Sequence, residues 1–141
     1  DSWANLLNES DYKIYSLNYI NDLVRKLKMD KITSNLPIIV FARQPAGGIG
    51  QFSHVSLDCI SLYWDESIDK SISILKNNTA IQGNLNPKIL KEDNSVIRKE
   101  VKLIIDKFKD YPGYIFNLGH GITPDIDPDK IKFVTDTVRE I

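Results

Sequence analysis

The chain has 141 residues, 42% of them hydrophobic and 26% charged, with a formal net charge of −1. That length and composition suit one domain with an apolar core, and the charge balance gives no basic field for nucleic acid. No run of roughly 18 apolar residues offers a membrane span, and a single cysteine, Cys59, excludes an internal disulfide and a thiolate metal cluster.

In chain order, DSWANLLNES has neither the basic start nor the apolar stretch of a signal peptide. The chain opens at Asp1 and its one methionine is Met29, so it is expected to be processed or to be a piece of something longer. Ile14, Leu17, Ile20, Val24 and Leu27 recur at spacings of three and four, which predicts a helix capped by Asn8. Pro37 to Ala42 (PIIVFA) is apolar at consecutive positions, as a strand buried on both faces requires. Gly47 to Val55 connects two strands, and Gly47, Gly48 and Gly50 weaken a helix there. Cys59 to Trp64 (CISLYW) is the second predicted strand. A helix follows from Asp65 or Ser67, carrying Ile68, Ile72 and Leu75. Thr79 to Asn84 is the third strand, and Ile97, Val101, Ile104, Ile105 and Phe108 stripe the next helix. Gly113 to Gly119 is the fourth strand. The last helix starts at Asp127-Pro128, with Ile131, Val134, Val138 and Ile141 on one side. Strands alternating with helices imply parallel pairing through right-handed crossovers.

Parallel α/β folds bind ligands at the C-terminal ends of their strands. This picks out Arg43 to Gly48, Tyr63-Trp64-Asp65, Gln82-Gly83-Asn84 and Gly119-His120-Gly121. His120 between two glycines is the sharpest candidate, because the flanking backbone lets a ligand approach closely. A surface turn that contains histidine is the plainer reading. Arg43 could meet an anionic ligand or pair with an acidic neighbour. The GGxG at Gly47 to Gly50 lacks the spacing and the Lys-Ser/Thr of a phosphate loop. His54, Cys59 and His120 do not have metal-ligand spacing. His54 reads as structural, Cys59 as buried, and Trp3 and Trp64 as packing residues, with Trp64 placed to line a pocket.

Five segments carry a family resemblance. DSWANLL resembles FDSWAG, PIIVFA a fifth barrel strand, CISLYW a strand reading VVGLDW, IQGNLNP the segment QGNLDP, and GYIFNLGHGITPD the segment GHIFNLGHGILPDTP. Together they are similar, from Asp1 to about Ile141, to the C-terminal part of the uroporphyrinogen decarboxylases.

The resemblance implies an α/β fold: strands 5–8 with their helices, the C-terminal half of a (β/α)8 TIM-type barrel, a fold that needs about 250 residues. Residues 1–141 are then one partial domain. The activity implied is cofactor-free and metal-free decarboxylation of the four acetate side chains of uroporphyrinogen III, giving coproporphyrinogen III in haem biosynthesis. Two substrate-binding positions carry over, Ser2 from FDSWAG and His120 from NLGHG. The family's central aspartate, arginine cluster and tyrosine belong to the other half, so no catalytic residue is assigned here. Tyr63 and Asn86 stand where the family has aspartates. The implied partners are the tetrapyrrole substrate, the N-terminal half-barrel and further copies of the chain, in the cytoplasm. The chain alone is expected to be inactive. The alternative is a non-catalytic split-gene or degenerate fragment stable only as an assembly. A corrinoid-dependent methyltransferase, which needs thiol and histidine ligands for zinc, and a flavodoxin-like domain fit the residues less well.

Overall fold

The structure, a computed structural model, describes residues 1–75 and 79–141. Asn8 caps the first helix, accepting the Asp11 backbone N–H at 2.9 Å. Helix α1 (Glu9–Tyr12) runs through a π-helical turn, Lys13–Leu17, into α2 (Asn18–Met29). The wider turn changes which residues face inward. Tyr12 and Ser16 are buried there, whereas Ile14 from the expected stripe is 50% exposed. Val24 rejoins the core, with Leu17 and Ile20 packed partly against it.

Among the described residues four strands form one sheet, β1 (Ile39–Phe41), β2 (Cys59–Ser61), β3 (Ala80–Gln82) and β4 (Tyr114–Ile115). Its order follows the chain, and every pairing is parallel. The strands are shorter than their apolar runs. The end of each run leaves the ladder to form a turn, and one further bridge, Leu85 to Leu118, rejoins the last two. The unclear link from Gly47 to Val55 holds a 3-10 helix, Ile49–His54, which buries Ile49 and Phe52. His54, expected to be structural, is exposed. Trp3, expected to pack, is 68% exposed, because the 3-10 turn Ala4–Leu6 buries Ala4 instead.

Helices α3 (Ile68–Leu75), α4 (Asn94–Phe108) and α5 (Pro128–Glu140) lie on one side of the sheet. Asp127 caps α5 through the Asp129 N–H at 2.9 Å, with Pro128 in the first turn. In register, Val40, Ile60, Ile81 and Tyr114 form the row that packs under the helices. Leu62, Leu85, Leu90, Ile97, Val101 and Phe108 complete that layer. Each buried aliphatic there stabilises the fold by about 1.5–3 kcal/mol relative to exposure. Tyr114 stacks on Phe108 at 3.9 Å and donates its hydroxyl to the Gly83 carbonyl at 2.5 Å. Burial pushes that hydroxyl's pKa up. The Cys59 thiol, buried as expected, is pushed up to about 11 by burial and then by Asp58.

The opposite row, Phe41, Ser61, Gln82 and Ile115, carries no helical layer among the described residues. Beyond β1, the Asp1 ammonium donates to the Phe41 carbonyl at 2.6 Å, and the Arg43 N–H donates to the Asp1 carbonyl at 2.9 Å. Bonds that straddle Ala42 in this way follow the parallel-ladder pattern. The Asp1 carboxylate also accepts from Ser16 Oγ at 2.7 Å and from the Trp3 N–H at 3.0 Å. No helix among the described residues is long and apolar enough to cross a membrane.

Candidate functional site at the strand ends

All four strands point their C-terminal ends the same way, so their exits meet at one rim. A cavity opens there over the uncovered row. Phe41, Ser61, Gln82 and Asn117 line it, one from each strand or its exit. Gln82 Nε2 donates to Ser61 Oγ at 3.0 Å, which fixes the polar floor. Ser2 and His120, from opposite ends of the chain, line this same cavity with Gly119 and Gly121. Ser2 reaches it because the Asp1 ladder ties the chain start to the exit of β1.

His120 is exposed, with its ring edge-on to two aromatics. The Phe41 ring centroid is 6.0 Å away and that of Tyr63 is 5.9 Å away. Close packing of two turns sets its position. The Gly119 N–H donates to the Leu85 carbonyl at 2.8 Å, and Gly119 lies against the Trp64 backbone. A side chain built at Gly119 would meet Trp64 N at 2.3 Å, so only glycine lets the turns touch.

The turn after β2 presents Tyr63 and Trp64, and Asn84 holds it in place. Asn84 is buried and donates to the Tyr63 and Glu66 carbonyls, each at 3.0 Å. Gly83 has φ +120°, a conformation open to glycine, and lies against the Leu62 carbonyl. Of the candidates at the third strand end, Gln82 therefore lines the cavity while Gly83 and Asn84 are scaffold. Glu66, half-buried behind this turn, has its carboxyl raised by burial.

A second cleft adjoins the first through His120 and Gly121. Arg43, Tyr63, Trp64, Asn86, Lys88 and Lys91 line most of it. Trp64, read first as a packing residue, lines this cleft from its place at a strand end. Asn86 accepts the Lys88 N–H at 3.0 Å and caps the 3-10 helix Pro87–Lys91, which sets the two lysines on the rim. Lys91 pairs with Asp125 at 2.5 Å, and hydrogen bonds from Lys91 and Thr123 hold the Asp125 carboxyl down to about 2. Sequence reasoning missed Phe41, Ser61, Asn117, Lys88 and Lys91. Alternation along the strands pointed to the first three. The lysines look like ordinary solvated charge until the rim is seen.

The profile of the family described as uroporphyrinogen decarboxylase matches residues 1–141. A uroporphyrinogen decarboxylase of Vesicomyosocius okutanii is 36% identical over 139 residues, covering 99% of this chain and 40% of the relative. One of Alcanivorax borkumensis is 36% identical over 141 residues, covering 100% and 40%. The chain thus spans about two fifths of the length of these relatives. Among solved structures, a methyltransferase from Methanosarcina mazei superposes with a TM-score of 0.78 at 14% identity. It covers 99% of this chain and 40% of its own, a likeness of fold.

Proposed function

Because the chain belongs to the uroporphyrinogen decarboxylase family, we propose that it forms one wall of a uroporphyrinogen site. Residues 1–141 act as the C-terminal half, strands five to eight, of a (β/α)8 barrel. In the reaction, a ring carbon of the pyrrole takes up a proton and becomes the electron sink. The bond from the acetate methylene to its carboxylate breaks, and CO2 leaves as its electrons enter the ring. The methylene carbon is protonated and the ring proton is lost, leaving a methyl group. No cofactor enters this balance. Ser2 and His120 serve as hydrogen-bonding contacts to the substrate, and proton delivery belongs to groups outside this chain. The convergence of Ser2 and His120 on one cavity at the strand ends is the observation that carries this reading. The Asp1 ladder supports it, since a parallel neighbour on that side of β1 is what a continuing barrel needs.

The test is titration of the chain with uroporphyrin, the unreactive oxidised form, followed in the porphyrin absorption band. Ser2→Ala and His120→Asn should each weaken binding by roughly fivefold. No binding, or binding indifferent to both changes, would overturn the reading. Incubated with uroporphyrinogen under reducing conditions, the chain alone should form no coproporphyrinogen at an enzymatic rate.

Association in the cytoplasm completes the proposal, either with an N-terminal half-barrel or with another copy. Ile39 and Ile115, on the outermost strands, are 48% and 42% exposed, and such edges favour pairing. Sedimentation at micromolar concentration should therefore give a mass above that of one chain, and a one-chain mass would count against self-association. The same edges favour the alternative of a non-catalytic fragment held in an assembly. That alternative predicts self-association without uroporphyrin binding.

A further inference from the structure

Two cations in the rim cleft lie on aromatic faces and, among the described residues, form no ion pair. Arg43 Cζ is 5.2 Å from the centroid of the Tyr63 ring, and Lys88 Nζ is 5.5 Å from that of Trp64. The two rings abut, with centroids 5.1 Å apart and a tilt of 46°. Arg43, Tyr63, Trp64 and Lys88 therefore form a continuous row along the cleft wall. A ring quadrupole holds a cation in position without neutralising it. Among the described residues neither Arg43 nor Lys88 takes part in an ion pair. Arg43 Nε is buried and unpartnered among the same residues. Asp125 pairs with Lys91, and Asp65 accepts from the neutral Gln44 amide at 3.1 Å without pairing to either cation. A guanidinium and an ammonium held open in one cleft make a receptor for an oxyanion, and charge-assisted hydrogen bonds to carboxylate are the strong kind.

We propose that this cleft is an anion subsite, in which Arg43 and Lys88 bind one carboxylate of a multiply carboxylated ligand against the Tyr63–Trp64 wall. The identity of that ligand as a tetrapyrrole rests on the reading above. His120 and Gly121 line both cavities. A macrocycle over the polar floor would thus direct a peripheral carboxylate sideways into the cleft. Tyr63 takes part here as a ring under Arg43.

The test uses the full chain carrying Trp3→Phe, an exposed site, so that Trp64 is the remaining indole. Benzene-1,2,4-tricarboxylate should change Trp64 fluorescence saturably. The double variant Arg43→Gln/Lys88→Gln should weaken that response roughly tenfold or more. Arg43→Lys should restore part of it, and the remote double variant Lys102→Gln/Lys132→Gln, with the same loss of charge, should leave it unchanged. No saturable response, or an equal response in both double variants, overturns the subsite. Uroporphyrin separates the two ideas. Tight uroporphyrin binding indifferent to Arg43→Gln/Lys88→Gln overturns the subsite and spares the tetrapyrrole reading. Tricarboxylate binding lost in that variant, without uroporphyrin binding, upholds the subsite and removes the tetrapyrrole reading.

Discussion

Gly119→Ala is expected to destabilise the protein by ~3 kcal/mol or more, a fall in Tm of roughly 10 °C. The new methyl would sit 2.3 Å from Trp64 N and 2.5 Å from Trp64 Cα, and both obstacles are backbone. No rotamer change relieves that clash. The turn after β2 must move away from the turn after β4, and the hydrogen bond from Gly119 to Leu85 lengthens with it. Gly121→Ala is the control, two residues away at an exposed position. A side chain there meets nothing within 4 Å, so its effect should stay within about 0.5 kcal/mol. Thermal melts of the two variants measure the difference. Equal melting temperatures would show that the turns do not pack as described. The pair also separates stability from recognition, since only Gly119→Ala should displace His120 relative to Tyr63.

Asn84→Asp should cost ~3 kcal/mol at neutral pH despite its near-identical shape. The Asn84 amide now donates to two backbone carbonyls inside the protein. The change sets a buried carboxylate oxygen against both acceptors. Its folded-state pKa must therefore rise above the unfolded value. A carboxyl raised on folding is most destabilising above its folded pKa, and the penalty shrinks as pH falls toward the unfolded value. Even protonated, one hydroxyl can serve only one of the two carbonyls, so a deficit of about 1–2 kcal/mol should persist in acid. Denaturant titrations at pH 7 and pH 4, each against the parent chain, give the two deficits. Deficits of the same size at both would mean that this side chain is not buried against the turn.

The β/α alternation was legible because it depends on local signals. Asn8 and Asp127 cap helices where they stand in the sequence, and the Ile97, Val101, Ile104 and Phe108 stripe is buried as its spacing demands. The π-helical turn at Lys13–Leu17 was not legible. It buries Tyr12 and Ser16, with Ser16 donating to the Asp1 carboxylate, and a period-3.6 reading therefore turns Ile14 the wrong way. At the site, strand-end logic found His120, Arg43 and Trp64. It could not separate Gln82, which lines the cavity, from Asn84, which holds a turn, since both are polar amides at one strand exit. Lys88 was invisible for another reason. Its meaning depends on a ring 24 positions earlier, Trp64, lying beneath its ammonium.

One side of the sheet packs under the helices and the other faces the cavity, and that division has a consequence for how the sequence can change over time. Ile60 and Ile81 answer to the helices, whereas Ser61 and Gln82, their immediate neighbours, answer to the cavity. Drift in the residues that meet a ligand is thereby uncoupled from drift in the residues that keep the chain folded. A lineage could exchange the floor of its cavity one residue at a time while remaining a folded protein at each step. The exceptions are the few contacts that belong to both sides, Gly119 against Trp64 and Asn84 beneath Tyr63, and these are where such a lineage should change least.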